Sequence, residues 1–181
     1  MLLTKLKSTW PYAGLPILAI ALLLVRAGRT EPIIMLEYEL IIVFGYVAAV
    51  FDLKTRKIPN RLILAMLAAW AITITPMLFV YTEAMIGYLK EAVLGLAISG
   101  GLFLLVYLIS RKGLGGGDVK FMAVVGLYLG FGGAIPVMLY GTILAALTGL
   151  VLILLKKIER KDSIPLAPFL FAGIIITVFF S

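Results

Sequence analysis

Long apolar runs, separated by short polar segments, dominate the pattern of hydrophobic and polar residues along the chain. A run of about 18 apolar residues is long enough for a helix to cross a lipid bilayer. The runs approach or exceed that length and predict an all-α, polytopic membrane helix bundle with about seven transmembrane helices. The predicted spans are Pro11–Val25, Met35–Phe51, Leu62–Val80, Ile86–Ser110, Asp118–Phe131, Ala134–Leu155 and Ile164–Phe180.

Composition strengthens this prediction. Hydrophobic residues make up 63% of the 181 residues and the mean hydropathy is +1.16, whereas soluble domains are typically about 45–50% apolar. Because the connecting segments are short, we expect one integral-membrane domain over residues 1–181, with a core at 36–181 and an additional span within 1–30. No small-x-small cleavage site follows that first span, which favours an uncleaved anchor over a signal peptide.

The basic residues predict the orientation. If the N-terminus lies in the cytoplasm, 13 of the 16 basic residues fall in cytoplasmic segments and three fall outside. Cytoplasmic loops are enriched in Lys and Arg, so the net charge of +7 indicates membrane topology and no nucleic-acid partner. The cytoplasmic set is Lys5, Lys7, Lys54, Arg56, Lys57, Arg61, Arg111, Lys112, Lys120, Lys156, Lys157, Arg160 and Lys161, and the outer set is Arg26, Arg29 and Lys90.

The chain contains neither cysteine nor histidine. Thiol catalysis, imidazole bases and the usual zinc sites are therefore excluded, and we expect neither a metal nor another cofactor. Acid–base chemistry is left to Asp, Glu, Lys, Tyr or bound water.

Two aspartates are the candidates for that chemistry. Asp52 ends the second predicted span and Asp118 begins the fifth. The chain crosses the membrane twice between them, so both lie on the cytoplasmic side, where helix packing can bring them together. Two neighbouring carboxylates share a proton, so the ionised one can activate water while the protonated one donates to a peptide carbonyl.

Structural roles are the alternatives for each aspartate taken alone. Asp118 follows glycine at a helix start, where Asp is a favoured N-cap. Asp52 can be an interfacial acid balanced by nearby basic residues, although an acid at a helix C-terminus opposes the helix dipole. We favour a functional pair because topology puts both acids on one side.

The residues around the aspartates are candidate substrate-binding or loop residues. Gly113 and Gly115, Gly116 and Gly117 predict an irregular, mobile segment whose bare backbone can pair with an extended peptide; a flexible linker is the alternative. Pro59 is predicted to end a loop and Asn60 to cap the third span. Lys120 is expected to reach lipid headgroups rather than to take part in catalysis.

Other polar and small residues are interpreted structurally. Glu37 and Glu39 are predicted to lie at a solvated outer boundary rather than in a buried site. Gly126 and Gly130 predict a small-residue face for tight helix packing. Two prolines, Pro165 and Pro168, are expected in the first turns of the last span, where a missing N–H costs little.

Three segments together resemble the type IV prepilin leader peptidases, including the preflagellin peptidases, of the GxGD class of membrane aspartyl proteases. They are Asp52-Leu53-Lys54 with Ile58-Pro59-Asn60, Gly115-Gly116-Gly117-Asp118-Val119-Lys120, and Ile164-Pro165-Leu166-Ala167-Pro168-Phe169. Their order and spacing agree with the family over roughly Leu36 to the C-terminus. The resemblance is to a minimal form without the cysteine-rich insert that many bacterial members carry.

The resemblance implies an endopeptidase with Asp52 and Asp118 as its catalytic pair. Its substrates would be prepilin-like or preflagellin-like proteins, cut at the cytoplasmic face after a short basic leader. The alternatives are a presenilin-like intramembrane protease, a proton-coupled transporter that uses the acids as a relay, and a non-enzymatic membrane subunit of a pilus assembly.

Overall fold

The computed structural model describes residues 20–22, 32–110, 113–159 and 162–180. Residues 20–22 are helical, and five longer helices follow. The predicted all-α membrane bundle is confirmed, because four of these helices are long and apolar enough to cross a membrane. The helices are α1 (Pro32–Thr55), α2 (Asn60–Val80), α3 (Thr82–Ser110), α4 (Gly116–Leu154) and α5 (Ala167–Phe180).

The first predicted span, Pro11–Val25, lies outside the described residues except for 20–22, so the count of about seven spans stays a prediction. The last span begins later than predicted, because α5 starts at Ala167. Pro168 is therefore in the first turn of α5, as expected, but Pro165 precedes the helix.

A break at Gly130 divides α4 into two segments. Gly130 has φ 65° and ψ −176°, a positive-φ conformation that favours glycine. A straight helix from Asp118 to Ile153 would be about 50 Å long at 1.5 Å per residue, yet both residues line the same cavity. The chain therefore reverses at Gly130, and α4a (116–129) and α4b (131–154) correspond to the fifth and sixth predicted spans.

Small residues allow α3 and α4a to approach closely. A Cβ atom built on Gly95 would lie 2.2 Å from the carbonyl oxygen of Gly126, and one built on Gly126 would lie 2.3 Å from Ser99 Oγ. The Ser99 hydroxyl also donates a hydrogen bond across the interface to the carbonyl oxygen of Met122, at 2.8 Å. The predicted small-residue face is confirmed at both positions, because a Cβ atom on Gly95 would also lie 2.5 Å from the carbonyl carbon of Gly130. Gly130 forms the turn as well, which was not predicted.

The final helix, α5, packs between α1 and α4b. A Cβ atom on Gly173 would meet the Val137 carbonyl oxygen at 2.6 Å, so the α5 and α4b backbones are close. On the other side, the rings of Phe171 and Tyr46 of α1 meet edge to face with centroids 5.7 Å apart. This packing carries the N-terminus of α5 to the end of α1, where Asp52 lies.

Apolar side chains also cover the outside of the bundle. Ile72, Phe79 and Ile109 are 72%, 84% and 79% exposed. Burial of such surface is favourable at about 25 cal/mol per Å², and a surrounding bilayer provides it.

The prediction that Glu37 lies at a solvated boundary is wrong. Its side chain is only 1% exposed, and one carboxyl oxygen, Oε1, forms a short hydrogen bond with Thr73 Oγ1 on α2. The other oxygen, Oε2, is buried without a hydrogen-bond partner among the described residues. Glu39 is half-buried, and its Oε1 is buried and likewise unpartnered.

Candidate active site

Asp52 lies in the last turn of α1 and is only 6% exposed. Its Oδ2 accepts a hydrogen bond of 2.9 Å from the backbone N–H of Ala167, the first residue of α5. The first N–H groups of a helix have no partner within the helix and carry the positive end of its dipole. The N-terminus of α5 therefore compensates for the unfavourable position of Asp52 at the C-terminal end of α1.

Asp118 lies in the first turn of α4a. Its Oδ2 accepts the backbone N–H of Gly115 at 3.2 Å, as the acidic residue of a capping box does. Gly115, rather than Asp118, is the N-cap residue. The second oxygen, Oδ1, is buried and has no hydrogen-bond partner within the described residues, so the described contacts use only one oxygen of this carboxyl group.

The two aspartates come together at one end of the bundle. Both line a cavity of about 710 Å³ between α4b and residues 162–166, and both also line a second cavity of about 220 Å³ beside the glycines. Their carboxyl groups are close enough to interact electrostatically. Such a pair can hold one proton between two groups, which is what acid–base catalysis by a carboxyl dyad requires.

The glycine-rich segment is more ordered than predicted. Gly116 and Gly117 already belong to the first turn of α4, so only Gly113 to Gly115 precede the helix. A Cβ atom on Gly115 would lie 2.8 Å from Asp118 Oδ2, and one on Gly117 would lie 3.2 Å from Ile58 Cβ. These glycines therefore make room for the Asp118 carboxyl group and for the loop after α1, and the N–H of Gly115 is already used by Asp118.

Lys120 and Asn60 form a link that the sequence analysis did not predict. Lys120 Nζ donates to Asn60 Oδ1 at 3.0 Å, so Lys120 binds α2 rather than reaching away to headgroups. Asn60 is the first residue of α2, preceded by Pro59 in an extended conformation, and no side-chain cap forms. The predicted cap role of Asn60 is therefore wrong, and its side chain instead joins α2 to α4a two residues beyond Asp118.

The segment before α5 completes the site. Residues 162–166 form one wall of the larger cavity. Arg56, which has a positive φ of 53°, extends its guanidinium to Ser163 Oγ at 3.4 Å and connects this wall to the end of α1. In the sequence, the prolines at 165 and 168 were the signal that this segment belongs to the site. They mark a helix start, and the free N–H groups of a helix start can bind a carboxylate.

Comparison with known proteins identifies the family. Residues 39–153 match the family described as the type IV leader peptidase family, and this match includes both Asp52 and Asp118. Because the match covers more than half of the chain, the chain is placed in a class of membrane peptidases. The chain belongs to the type IV leader peptidase family, as the three sequence segments indicated.

Individual relatives carry consistent names. A prepilin leader peptidase/N-methyltransferase of Bacillus subtilis (strain 168) is 31% identical over 72% of this chain and 50% of the relative. The protein of the same name from Burkholderia pseudomallei (strain 1026b) is 34% identical over 76% of this chain and 45% of the relative. The chain thus spans about half the length of the curated relatives it matches. No solved structure matches it.

Proposed function

We propose that this chain is a membrane aspartyl endopeptidase that cleaves the leader of prepilin-like or preflagellin-like substrates. The observation that carries the proposal is that Asp52 and Asp118, from two helices far apart in the chain, border one open cavity. The family and the names of its relatives support the substrate class.

The reaction follows from one proton shared by two carboxyl groups. The ionised aspartate takes a proton from water as the water oxygen bonds to the scissile carbonyl carbon. The protonated aspartate gives its proton to the carbonyl oxygen, which forms a neutral diol. The first aspartate then protonates the leaving nitrogen, the C–N bond breaks, and a diol hydroxyl returns its proton to the second. The pair ends in its starting protonation state.

The contacts of each aspartate hold the pair in position. Ala167 N–H fixes one oxygen of Asp52 and Gly115 N–H fixes one oxygen of Asp118. Both donors belong to helix N-termini, whose backbone is rigid. Catalysis by positioned groups depends strongly on geometry, and a displacement of 1 Å can cost about 10²-fold in rate.

We further propose that the aspartates face the cytoplasm and that the protein lies in the cell membrane. The described basic residues support this orientation, because they concentrate at the end of the bundle that bears the aspartates. Seven belong to that end and Lys90 lies toward the other. The seven are Lys54, Arg56, Lys57, Arg61, Lys120, Lys156 and Lys157. We assign the peptidase core to 36–181, which contains the family match.

A reconstituted cleavage assay tests this function. The full chain is purified, inserted into phospholipid vesicles and incubated with prepilin-like substrates that carry a basic leader before an apolar segment. Mass spectrometry is expected to find one new N-terminus, at the junction between leader and apolar segment. Failure of the folded protein to cut any of several such substrates would contradict the proposal.

A further inference from the structure

The larger cavity differs in charge from the rest of the chain. The protein has a net charge of +7, but among the residues that the structure describes, the charged ones lining this cavity are three acids, Asp52, Asp118 and Asp162, and one base, Arg56. Most of the remaining lining is apolar, from α4b and from Ile164 and Leu166. A peptide that combines a cationic side chain with apolar neighbours fits such a surface better than an anionic one.

Asp162 is the acid of this set that the proposed chemistry does not use. It is exposed, and it is the first residue of the wall formed by residues 162–166. This wall leads to Ala167, which binds Asp52. Its Oδ2 accepts the backbone N–H of Glu159 at 2.8 Å, so the loop itself holds the carboxylate in place. A carboxylate has about four acceptor sites on two oxygens, and this contact occupies one of them.

Arg56 is the base among the described residues that line the larger cavity. The Arg56 guanidinium also lines the cavity, but its NH1 donates to Ser163 Oγ. On its far side Asp162 borders a separate cavity, lined by Lys156, Lys157 and Glu159. Asp162 therefore borders both of these cavities, whereas Glu159, three residues earlier, borders only the one with the lysines.

We propose that Asp162 is a specificity-determining residue that binds a lysine or arginine side chain in the leader of the substrate. The inference rests on the proposed function and adds to it the residue that selects for a basic leader. The contact explains how a protein with basic loops can accept a basic peptide, because the attractive charge stands at the cavity itself. Asp162 acts in binding and takes no part in the proton transfers of Asp52 and Asp118.

The size of the effect follows from the exposure of the site. An exposed ion pair contributes about 0.2–1 kcal/mol, so its loss corresponds to an increase in KM of up to about fivefold. A contact remote from the reacting atoms that is equally strong in ground and transition states changes KM and leaves kcat unchanged.

The test compares two substrates that differ only in the leader, one with lysines and one with glutamates at the same positions. Asp162→Asn keeps an oxygen that can accept the Glu159 N–H and removes only the charge. We expect it to raise KM for the lysine leader by up to about fivefold with kcat unchanged, and to lower KM for the glutamate leader. Asp162→Lys is expected to reverse the preference between the two leaders.

Glu159→Lys is the matched control, because it makes the same charge change in the same loop away from the larger cavity. It is expected to keep the wild-type preference. Wild-type KM values for both leaders in Asp162→Asn and Asp162→Lys would overturn the proposal while leaving the proposed function intact. An equal loss of preference in Glu159→Lys would also overturn it, since the effect would then belong to the charge of the whole loop. A wild-type protein that cuts neither substrate would instead overturn the proposed function, and this inference with it.

Discussion

Asp52 and Glu37 lie on the same helix, α1, about 22 Å apart along its axis at 1.5 Å per residue, and both side chains are buried. Asp52 borders both cavities beside Asp118, whereas Glu37 lines neither. Glu37 instead meets Thr73 of α2. An ionisable residue within a membrane helix suggests function, but the two differ in access to a second acid and to an open space. That access, rather than burial, separates a candidate catalytic group from a structural one.

The region around Glu37 is a network of polar groups inside an apolar bundle. Trp70 Nε1 donates to the Tyr88 hydroxyl at 3.3 Å, and the Tyr128 hydroxyl donates to the Met66 carbonyl oxygen at 2.7 Å. Both tyrosines lie within electrostatic range of Glu37. These contacts connect α2 with α1, α3 and α4a. We infer that the polar groups at this end of the bundle hold the helices together, whereas the two aspartates at the other end line a cavity that a substrate can enter.

The largest expected effect comes from lengthening a catalytic side chain. Asp52→Glu or Asp118→Glu keeps the carboxyl group but moves it by one methylene, so we expect kcat to fall about 100-fold or more. Glu37→Asp is the matched change in the other region and is expected to leave kcat within about twofold, because Glu37 does not line the cavity. Steady-state cleavage in vesicles measures all three. Full activity in either aspartate variant would contradict the assignment.

Close helix packing predicts the next effect, on stability. Gly126→Ala would place a methyl group against the Gly95 carbonyl oxygen and Ser99 Oγ, and overpacking of this kind costs about 1–3 kcal/mol in free energy of unfolding. Gly87→Ala on α3 meets nothing within 4 Å and is expected to cause no loss. Unfolding in a denaturing detergent compares the two variants. Equal stability of the Gly126→Ala and Gly87→Ala variants would contradict this prediction, because it would show that α3 and α4a can separate enough to accept the methyl group.

A smaller stability effect is expected at Glu37. Glu37→Leu removes the partner of Thr73 on α1, but the Thr73 hydroxyl keeps the carbonyl oxygens of Ala69 and Trp70 as acceptors. The loss is therefore the net contribution of one hydrogen bond, about 0.5–1.5 kcal/mol, partly offset by the gain of an apolar side chain. Glu37→Gln keeps size and hydrogen-bonding capacity and should unfold close to the wild type. The same unfolding assay compares the two variants. If Glu37→Gln is as unstable as Glu37→Leu, the amide does not replace the carboxyl group and the prediction is wrong.

The smallest effect is expected at the link between α2 and α4a. Lys120→Met removes the hydrogen bond to Asn60 and should lower kcat about two- to fivefold by loosening the segment that carries Asp118. Asn60→Ala should do the same, and the double variant should be no worse than either single one. Lys90→Met, at the other end, is the control. Additive losses in the double variant would show that the two residues act separately.

Topology explains which features could be predicted from the sequence. The second to seventh predicted spans correspond to α1 to α5, and counting two crossings between Asp52 and Asp118 was enough to predict one side for both. Contacts between distant segments were not predictable in this way. Ala167 lies 115 positions from Asp52, and nothing near Glu37 in the sequence indicates that its partner is Thr73, on another helix. Gly130 packs against α3 as predicted. Its second role, in the turn between α4a and α4b, was not predictable because its positive φ is a property of the folded chain.

Cleavage of one prepilin-like substrate by three carboxyl-to-amide variants, Asp52→Asn, Asp118→Asn and Glu37→Gln, tests the central claim most directly. Each change removes the ability to carry a negative charge while nearly preserving shape. General acid–base groups contribute about 10²–10⁴-fold each, so we predict that both aspartate variants fold and lose at least 100-fold in kcat, and that Glu37→Gln stays within about twofold of the wild type. Wild-type cleavage by either aspartate variant, or loss of cleavage by a folded Glu37→Gln protein, would contradict the account.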